Sequence, residues 1–169
     1  MVMHRAQVVV GVVAGQPPAV VAEAAAFARH FHAVLVCATV DASRYLVETR
    51  PDGSITSLPT NPDNPDLRVE TFDPKLRAEL AAILEDRDVI WEARPLVGDE
   101  AHALGELARQ LDAAMIVVGT RDATFAGTVH EFVNGSVATR LAHLQNRPVV
   151  VIPFNPVQED GELPWTTLP

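Results

Sequence analysis

Five short runs of this chain are largely apolar, and between them the hydrophobic positions switch to a helical spacing. Gln7 to Val13 is a continuous β-branched run too short for a helix, the pattern of a strand covered on both faces. Ala14-Gly15-Gln16-Pro17-Pro18 breaks it, and a proline is tolerated at a helix start because the first N–H groups lack partners there. Val20, Ala24, Phe27 and Phe31 then recur at helical spacing, with Glu23, Arg29 and His30 off that face. Ala33 to Val40 predicts a second strand, Val89 to Val97 a third, Ala114 to Val118 a fourth and Pro148 to Ile152 a fifth. The helices between them are marked by their starts. Asp73-Pro74 has the form of a cap followed by proline, opening a helix with Leu76, Leu80, Ile83 and Leu84 on one face. Asp99 caps another through Leu104, Leu107, Ala108 and Leu111, with Gly105 a weak spot, and a last helix runs from Ser136 to about Gln145 through Val137, Leu141 and Leu144.

Two stretches break this alternation. From Asp41 to Phe72 the composition shifts to Pro, Asp, Asn, Ser and Thr without a helical period. Within it Tyr45 to Thr49 and Ser54 to Leu58 flank Arg50-Pro51-Asp52-Gly53, which predicts a β-hairpin, and Asn61 to Asp66 reads as irregular loop. The tail after Pro153 is rich in proline and acid and reads as an extended arm in which Trp165 is the one candidate anchor. Strands alternating with helices, each strand nearly all apolar, predict an α/β fold: an open parallel sheet with helices on both faces, in one domain over residues 1–153 with a tail at 154–169.

Composition narrows the function classes. A chain of 169 residues suits one domain. Its formal charge of −9 opposes nucleic acid as a main partner, because phosphate backbones select clustered Lys and Arg. No apolar run approaches the roughly 18–20 residues of a membrane span, and the start lacks the apolar core of a signal peptide, so a cytoplasmic protein is expected. The dominance of Arg over Lys and the abundance of Ala and Val suggest a GC-rich bacterial genome. Cys37, the only cysteine, reads as a small buried strand residue before it reads as a reactive thiol.

The candidate site follows from the fourth strand. Gly119-Thr120-Arg121 leads through a loop to Gly135-Ser136-Val137 at a helix start. That is where open α/β sheets hold phosphates, since unpaired backbone N–H groups and the helix dipole both face an anion there. Asp41, at the end of the second strand, lies at the same carboxyl edge and either contacts a ribose or merely begins the loop. Competing chemistry has less support. His30-Phe31-His32 sits where a helix ends, a place His commonly takes without metal. His130-Glu131 has no Ser or Cys partner recognisable by spacing, and Asn134-Gly135-Ser136-Val137-Ala138 is not a nucleophile elbow. There is no Walker loop and no Gly-x-Gly-x-x-Gly after the first strand.

Val8-Val-Val-Gly-Val12, Val97-Gly98-Asp99, Ile116-Val-Val-Gly-Thr-Arg121, Gly135-Ser136 and Pro148-Val-Val-Val-Ile-Pro153 together resemble the universal stress protein family over roughly Gln7 to Pro153. The resemblance implies a five-stranded parallel sheet in the order 3-2-1-4-5, Rossmann-like and similar to the adenine nucleotide alpha hydrolases, and pairing of two copies through strand five, here Val149, Val150, Val151 and Ile152. It also implies ATP or another adenine nucleotide, with Mg²⁺, as the possible ligand. Residues matching the family's pocket are Gly119, Thr120, Arg121, Gly135, Ser136 and Val137, with Val40 at an apolar wall position.

Three departures weaken that pocket. The family pattern runs Gly, two residues, Gly, nine residues, then Gly-Ser or Gly-Thr; here Asp122 replaces the second glycine and twelve residues (123 to 134) separate it from Gly135. Val13 stands where the ATP-binding branch carries an Asp toward the adenine. Glycine lets a phosphate loop approach closely, while Asp122 adds a negative charge beside a polyanion, a repulsion on the order of 4 kcal/mol at short range that solvent or Mg²⁺ moderates. Arg121 either pairs with Asp122 or serves the phosphate. The stretch Ala123 to Phe132 is either a lid over the site or an extra turn before the helix. The expected function is a non-enzymatic stress-response or regulatory module that forms a homodimer, acts on a protein partner of unknown identity and binds ATP weakly or not at all. The alternative is an ATP-binding member with slow hydrolysis or nucleotide-switched partner binding.

Overall fold

Val8, Val9 and Val10 have no exposed surface, which a strand achieves only when both its faces and both its edges are covered. The computed structural model describes residues 5–120 and 137–154 and shows how this is done. The elements run β1 (Gln7–Gly11), α1 (Pro18–His30), β2 (Val34–Asp41), β3 (Arg44–Thr49), β4 (Ile55–Pro59), β5 (Arg68–Val69), α2 (Pro74–Leu84), β6 (Trp91–Val97), α3 (Glu100–Gln110), β7 (Met115–Gly119), α4 (Val137–Leu144) and β8 (Val149–Ile152). Five of the strands form a parallel sheet ordered β6-β2-β1-β7-β8. In terms of the five apolar runs this is the expected order 3-2-1-4-5, with the first run at the centre.

Alternate strand residues feed two cores. Val8, Val10, Leu35, Cys37, Met115 and Val117 pack on one face with Val20, Ala24 and Ala28 of α1 and Leu76, Leu80 and Leu84 of α2. Val9, Val36, Ala38, Ile116 and Val118 pack on the other with Ala101, Leu104 and Ala108 of α3 and Leu141 of α4. The caps behave as their residue types dictate. Asp73 accepts a hydrogen bond from the Lys75 N–H and Asp99 from the His102 N–H, both at 2.9 Å. Helices α1 and α3 close without glycine: His32 and Asp112 take left-handed φ of 50° and 48°, and the next N–H groups, of Ala33 and Ala113, reach back to the carbonyls of Ala28 and Ala108.

Several positions depart from the sequence reading. Phe31 and Leu144 continue the apolar stripes of their helices but are 52% and 56% exposed, because each lies at or beyond the turn where its helix leaves the core. Strand β1 stops at Gly11, two residues short of Val13. Asn61 to Asp66 is irregular as expected, and Arg68–Val69, which follows it, adds β5 to the hairpin.

The hairpin itself is present. β3 and β4 pair antiparallel across a turn closed by the Gly53 N–H on the Arg50 carbonyl, where Gly53 holds a φ of +84°. The three-stranded sheet β3-β4-β5 is held by a buried cation more than by an apolar core. Arg44 is 5% exposed; its Nε donates to Ser57 Oγ at 2.7 Å and lies 3.0 Å from Glu70 Oε1, while its Nη1 reaches Asp66 at 3.1 Å. Ser57 Oγ in turn donates to Glu70. Burial alone would raise the Glu70 pKa, but hydrogen bonds from Arg68 and Ser57 and the charges of Arg68 and Arg44 outweigh it, so the net shift is downward.

A carboxyl with a lowered folded-state pKa contributes stability above its unfolded value, about 4.3 for Glu, and that contribution is lost as pH falls through the lower folded value. Glu70→Ala leaves a buried guanidinium short of a partner, which typically costs about 3–5 kcal/mol, less whatever Asp66 restores. The expected outcome in urea denaturation at pH 7 is a clear loss of stability for Glu70→Ala, shrinking below pH 4; an unchanged midpoint would remove the role assigned to the pair.

Candidate functional site

The site lies at the carboxyl ends of β2, β1 and β7, three neighbouring strands whose connections leave toward different faces. The loop after β1 turns to the α1 side, whereas α4, which follows β7 in the chain, packs on the opposite face with α3. Open sheets form a ligand crevice where the winding reverses in this way, here between β1 and β7.

On the β1 side, Val12 stays tied to β2 through its N–H and the Ala38 carbonyl at 2.9 Å. Val13 then leaves the sheet and is 53% exposed. Gln16 folds back over this corner: its Oε1 accepts from the Val13 N–H at 3.3 Å and its Nε2 donates to the Gly11 carbonyl at 3.4 Å. These are long, weak bonds. Behind the loop, a cavity of about 20 Å³ bounded by Val12, Pro17, Val21 and Leu80 has room for a water and no more.

On the β2 side, Val40 is half-buried against the α3 face of the core. Asp41 begins the turn into β3: its Oδ1 accepts from the Ser43 N–H at 2.9 Å and the Ser43 hydroxyl at 2.6 Å, and its Oδ2 lies 3.6 Å from Arg68 of β5. The Ser43 hydroxyl is the main influence that lowers its pKa, offset in part by burial and reinforced by the Ser43 N–H, Arg68 and Arg44. Of the two roles open to Asp41 in the sequence, the loop-starting one is occupied, and both oxygens have partners within the chain.

The β7 side holds Phe154, a residue the sequence pattern places in the tail. Phe154 lies on Gly119: a Cβ built on that glycine comes to 2.8 Å from the ring's Cζ and 3.0 Å from Cδ1, and closer still to Cε1. Two bonds fix the arrangement, one main-chain from the Thr120 N–H to the Ile152 carbonyl at 2.9 Å and one from the Phe154 N–H to the side-chain Thr120 Oγ1 at 2.8 Å. The signal was present in the chain, since Val150, Ile152 and Phe154 continue the two-residue period of β8 past Pro153. Gly119, expected as a phosphate-loop glycine, therefore has a packing reason to lack a side chain.

Val137 opens α4 and is half-buried against the α3 face of the core. α4 is tied to the start of α3 by Arg140, whose Nη1 lies 2.6 Å from Asp99 Oδ2. That hydrogen bond, ahead of the one from the His102 N–H, keeps the Asp99 carboxyl below the usual range. Arg121, Asp122, Gly135 and Ser136 lie outside the described residues, as do the Ala123 to Phe132 stretch, His130-Glu131 and Trp165. Elsewhere, burial pushes the Cys37 thiol up to about 12, which makes it a poor nucleophile. No group of three metal-ligating side chains occurs among the described residues, and His30 Nδ1 lies against the Ala26 carbonyl at 2.6 Å, as a helix-terminal His does.

Gly119→Ala should force the Phe154 ring aside, an overpacking that typically costs about 1–3 kcal/mol. In thermal denaturation the variant should melt lower than wild type, and the same change in a Phe154→Ala background should be nearly neutral. Equal losses in both backgrounds would show that the ring is not what the glycine accommodates.

The fold and this edge can be set beside known proteins. No curated protein matches the chain. Among solved structures, a universal stress protein in complex with cAMP aligns with 23% identity and a TM-score of 0.60, over 90% of this chain and 99% of that one. A universal stress protein from Archaeoglobus fulgidus in complex with dAMP gives 19% and 0.54 over 89% and 99%. A family member from Arabidopsis thaliana with AMP bound gives 14% and 0.52 over 89% and 92%. At these identities the structures establish the fold that the topology already displays. The family model described as "Universal stress protein family" matches residues 5–153, from before β1 to the end of β8. The chain belongs to the universal stress protein family.

Proposed function

We propose that this chain is a non-enzymatic regulatory module whose β1/β7 crevice binds adenine nucleotides weakly or not at all, and which works as a homodimer. The observation that carries the reading is Val13: an exposed apolar side chain stands at the lip where the family's ATP-binding branch is expected to present a carboxylate. Asp122 supports it by charge and the twelve-residue spacing to Gly135 by geometry. The second reading, an ATP-binding member with Mg²⁺ and slow hydrolysis, draws on Gly119, Arg121, Gly135 and Ser136 and on the adenine nucleotides named with the similar structures.

Calorimetry with ATP, ADP and AMP in Mg²⁺ separates the two. Wild-type protein should bind ATP more weakly than about 10 μM, near −7 kcal/mol, and a Val13→Asp, Asp122→Gly double variant should bind more tightly. Wild-type affinity of 10 μM or better would replace the first reading with the second.

The dimer is argued from β8, whose outer edge has no partner strand among the described residues. Pro148 and Ile152 accept hydrogen bonds from β7, so Val150 also turns its peptide groups inward while Val149 and Val151 turn theirs out. Val151 is 43% exposed, and an apolar edge of this kind invites a second strand. Light scattering at tens of micromolar should report a dimer, and Val151→Pro, which removes an outward donor, should give monomer. A monomeric wild type would end the proposal.

A further inference from the structure

Resting on the weak-nucleotide reading, we infer that Phe154 is an intramolecular occupant of the β1/β7 crevice and must leave before an adenine nucleotide can lie across it. The placement follows from strand parity. Met115 and Val117 face the α1 side of the sheet, so the empty side-chain position of Gly119 faces it too. The Phe154 ring fills that position and packs against the cluster containing Val12, Val20 and Val21. It therefore stands over the carboxyl end of β7, on the side to which the loop after β1 turns.

The contact takes the space a ligand would need. Glycine at a phosphate loop allows close approach of a ligand to the backbone, and here that approach is filled by an aromatic ring. At the head of the loop the Thr120 N–H is held by the Ile152 carbonyl beside β8, and the Thr120 hydroxyl oxygen accepts from the Phe154 N–H while its own O–H remains to donate. Across the crevice the Val13 N–H is engaged by Gln16, but through a 3.3 Å bond that a ligand acceptor would outcompete. Phe154 is the stronger obstacle because its displacement separates a packed ring from its neighbours. It is also a removable one. The residue is only partly buried, and it follows Pro153 beyond the last paired strand, so its departure unpairs no strand of the sheet.

A ligand competing with such an occupant has its affinity reduced by the fraction of molecules in which the crevice is open. If the ring is seated in nine molecules of ten or more, its removal should raise affinity by at least about tenfold. The test is calorimetric titration of AMP and of Mg²⁺-ATP into wild type, Phe154→Ala and Phe154→Trp. Phe154→Ala should bind AMP at least about tenfold more tightly than wild type, and Phe154→Trp, which keeps the space filled, should match wild type. Pro153→Gly, which loosens the backbone leading to Phe154 and changes no residue of the crevice, should give a smaller rise with the core untouched, so the test does not depend on one variant. No rise in either loosened variant overturns the inference, and weaker binding by Phe154→Ala would overturn it in favour of a ring that supports the base. The outcome is independent of the parent reading. Tight ATP binding by wild type refutes weak nucleotide binding whatever the ratio between variants, and an unchanged ratio refutes the occupant while weak binding stands.

Discussion

The complete burial of Val8, Val9 and Val10 is the constraint from which the rest of the architecture follows. A strand that is apolar on both faces needs a helical layer on each and a parallel neighbour on each edge. β2 and β7 supply the neighbours, α1 with α2 and α3 with α4 the layers. A chain that winds outward from a central strand in both directions must reverse its winding beside it. The crevice between β1 and β7 is the geometric residue of that reversal, so the place a ligand could occupy at this edge is inherited from the core and not added to it.

The crevice exists by topology, but its chemistry is local, and here the chain has turned much of it inward. Val13 gives the β1 lip an apolar surface, Gln16 satisfies its backbone, Asp41 is engaged by Ser43 and Arg68, and Thr120 is engaged by the strand beside it. The three-stranded sheet takes part, because Arg68 of β5 couples the end of β2 to the Arg44–Glu70 pair. A buried ion pair of that kind adds little net stability over an apolar equivalent, but losing either member is costly, so it specifies one position for the strands that carry it. In a segment whose large apolar residues Tyr45, Leu46, Val47, Leu67 and Val69 stay exposed, that is the available way to fix a position.

The core was legible in the sequence because a fully buried strand is a composition as well as a pattern, and all five β-branched or apolar runs became the parallel sheet. Asp73 and Asp99 were legible for a different reason, since a cap needs only its own side chain and a nearby N–H. What failed was whatever depended on distant partners. Arg68–Val69, outside both the hairpin and the loop that the sequence predicts, becomes a strand because β4 offers an unpaired edge. Phe31 and Leu144 keep the helical period one turn past the core, and periodicity cannot say where the core ends. The role of Gly119 was half legible: the need for a glycine was plain, while the group requiring it sat thirty-five residues later, at Phe154.

That last case bears on how a binding motif is to be read in a divergent member of a family. A glycine at the end of β7 is compatible with a phosphate against the backbone and equally with a side chain against it, because both need only the missing Cβ. The residue alone does not distinguish them. The neighbours do: a carboxylate at position 13, glycine at 122 and a small residue at 154 would leave the space to a ligand, whereas on the proposed reading Val13, Asp122 and Phe154 remove attraction, add repulsion and fill volume in turn. On that reading each acts on a different part of the binding free energy, so restoring one would not restore the site. A ring seated on the glycine also changes the meaning of the remaining motif, since Gly119 is then held in place by packing even where no nucleotide selects it.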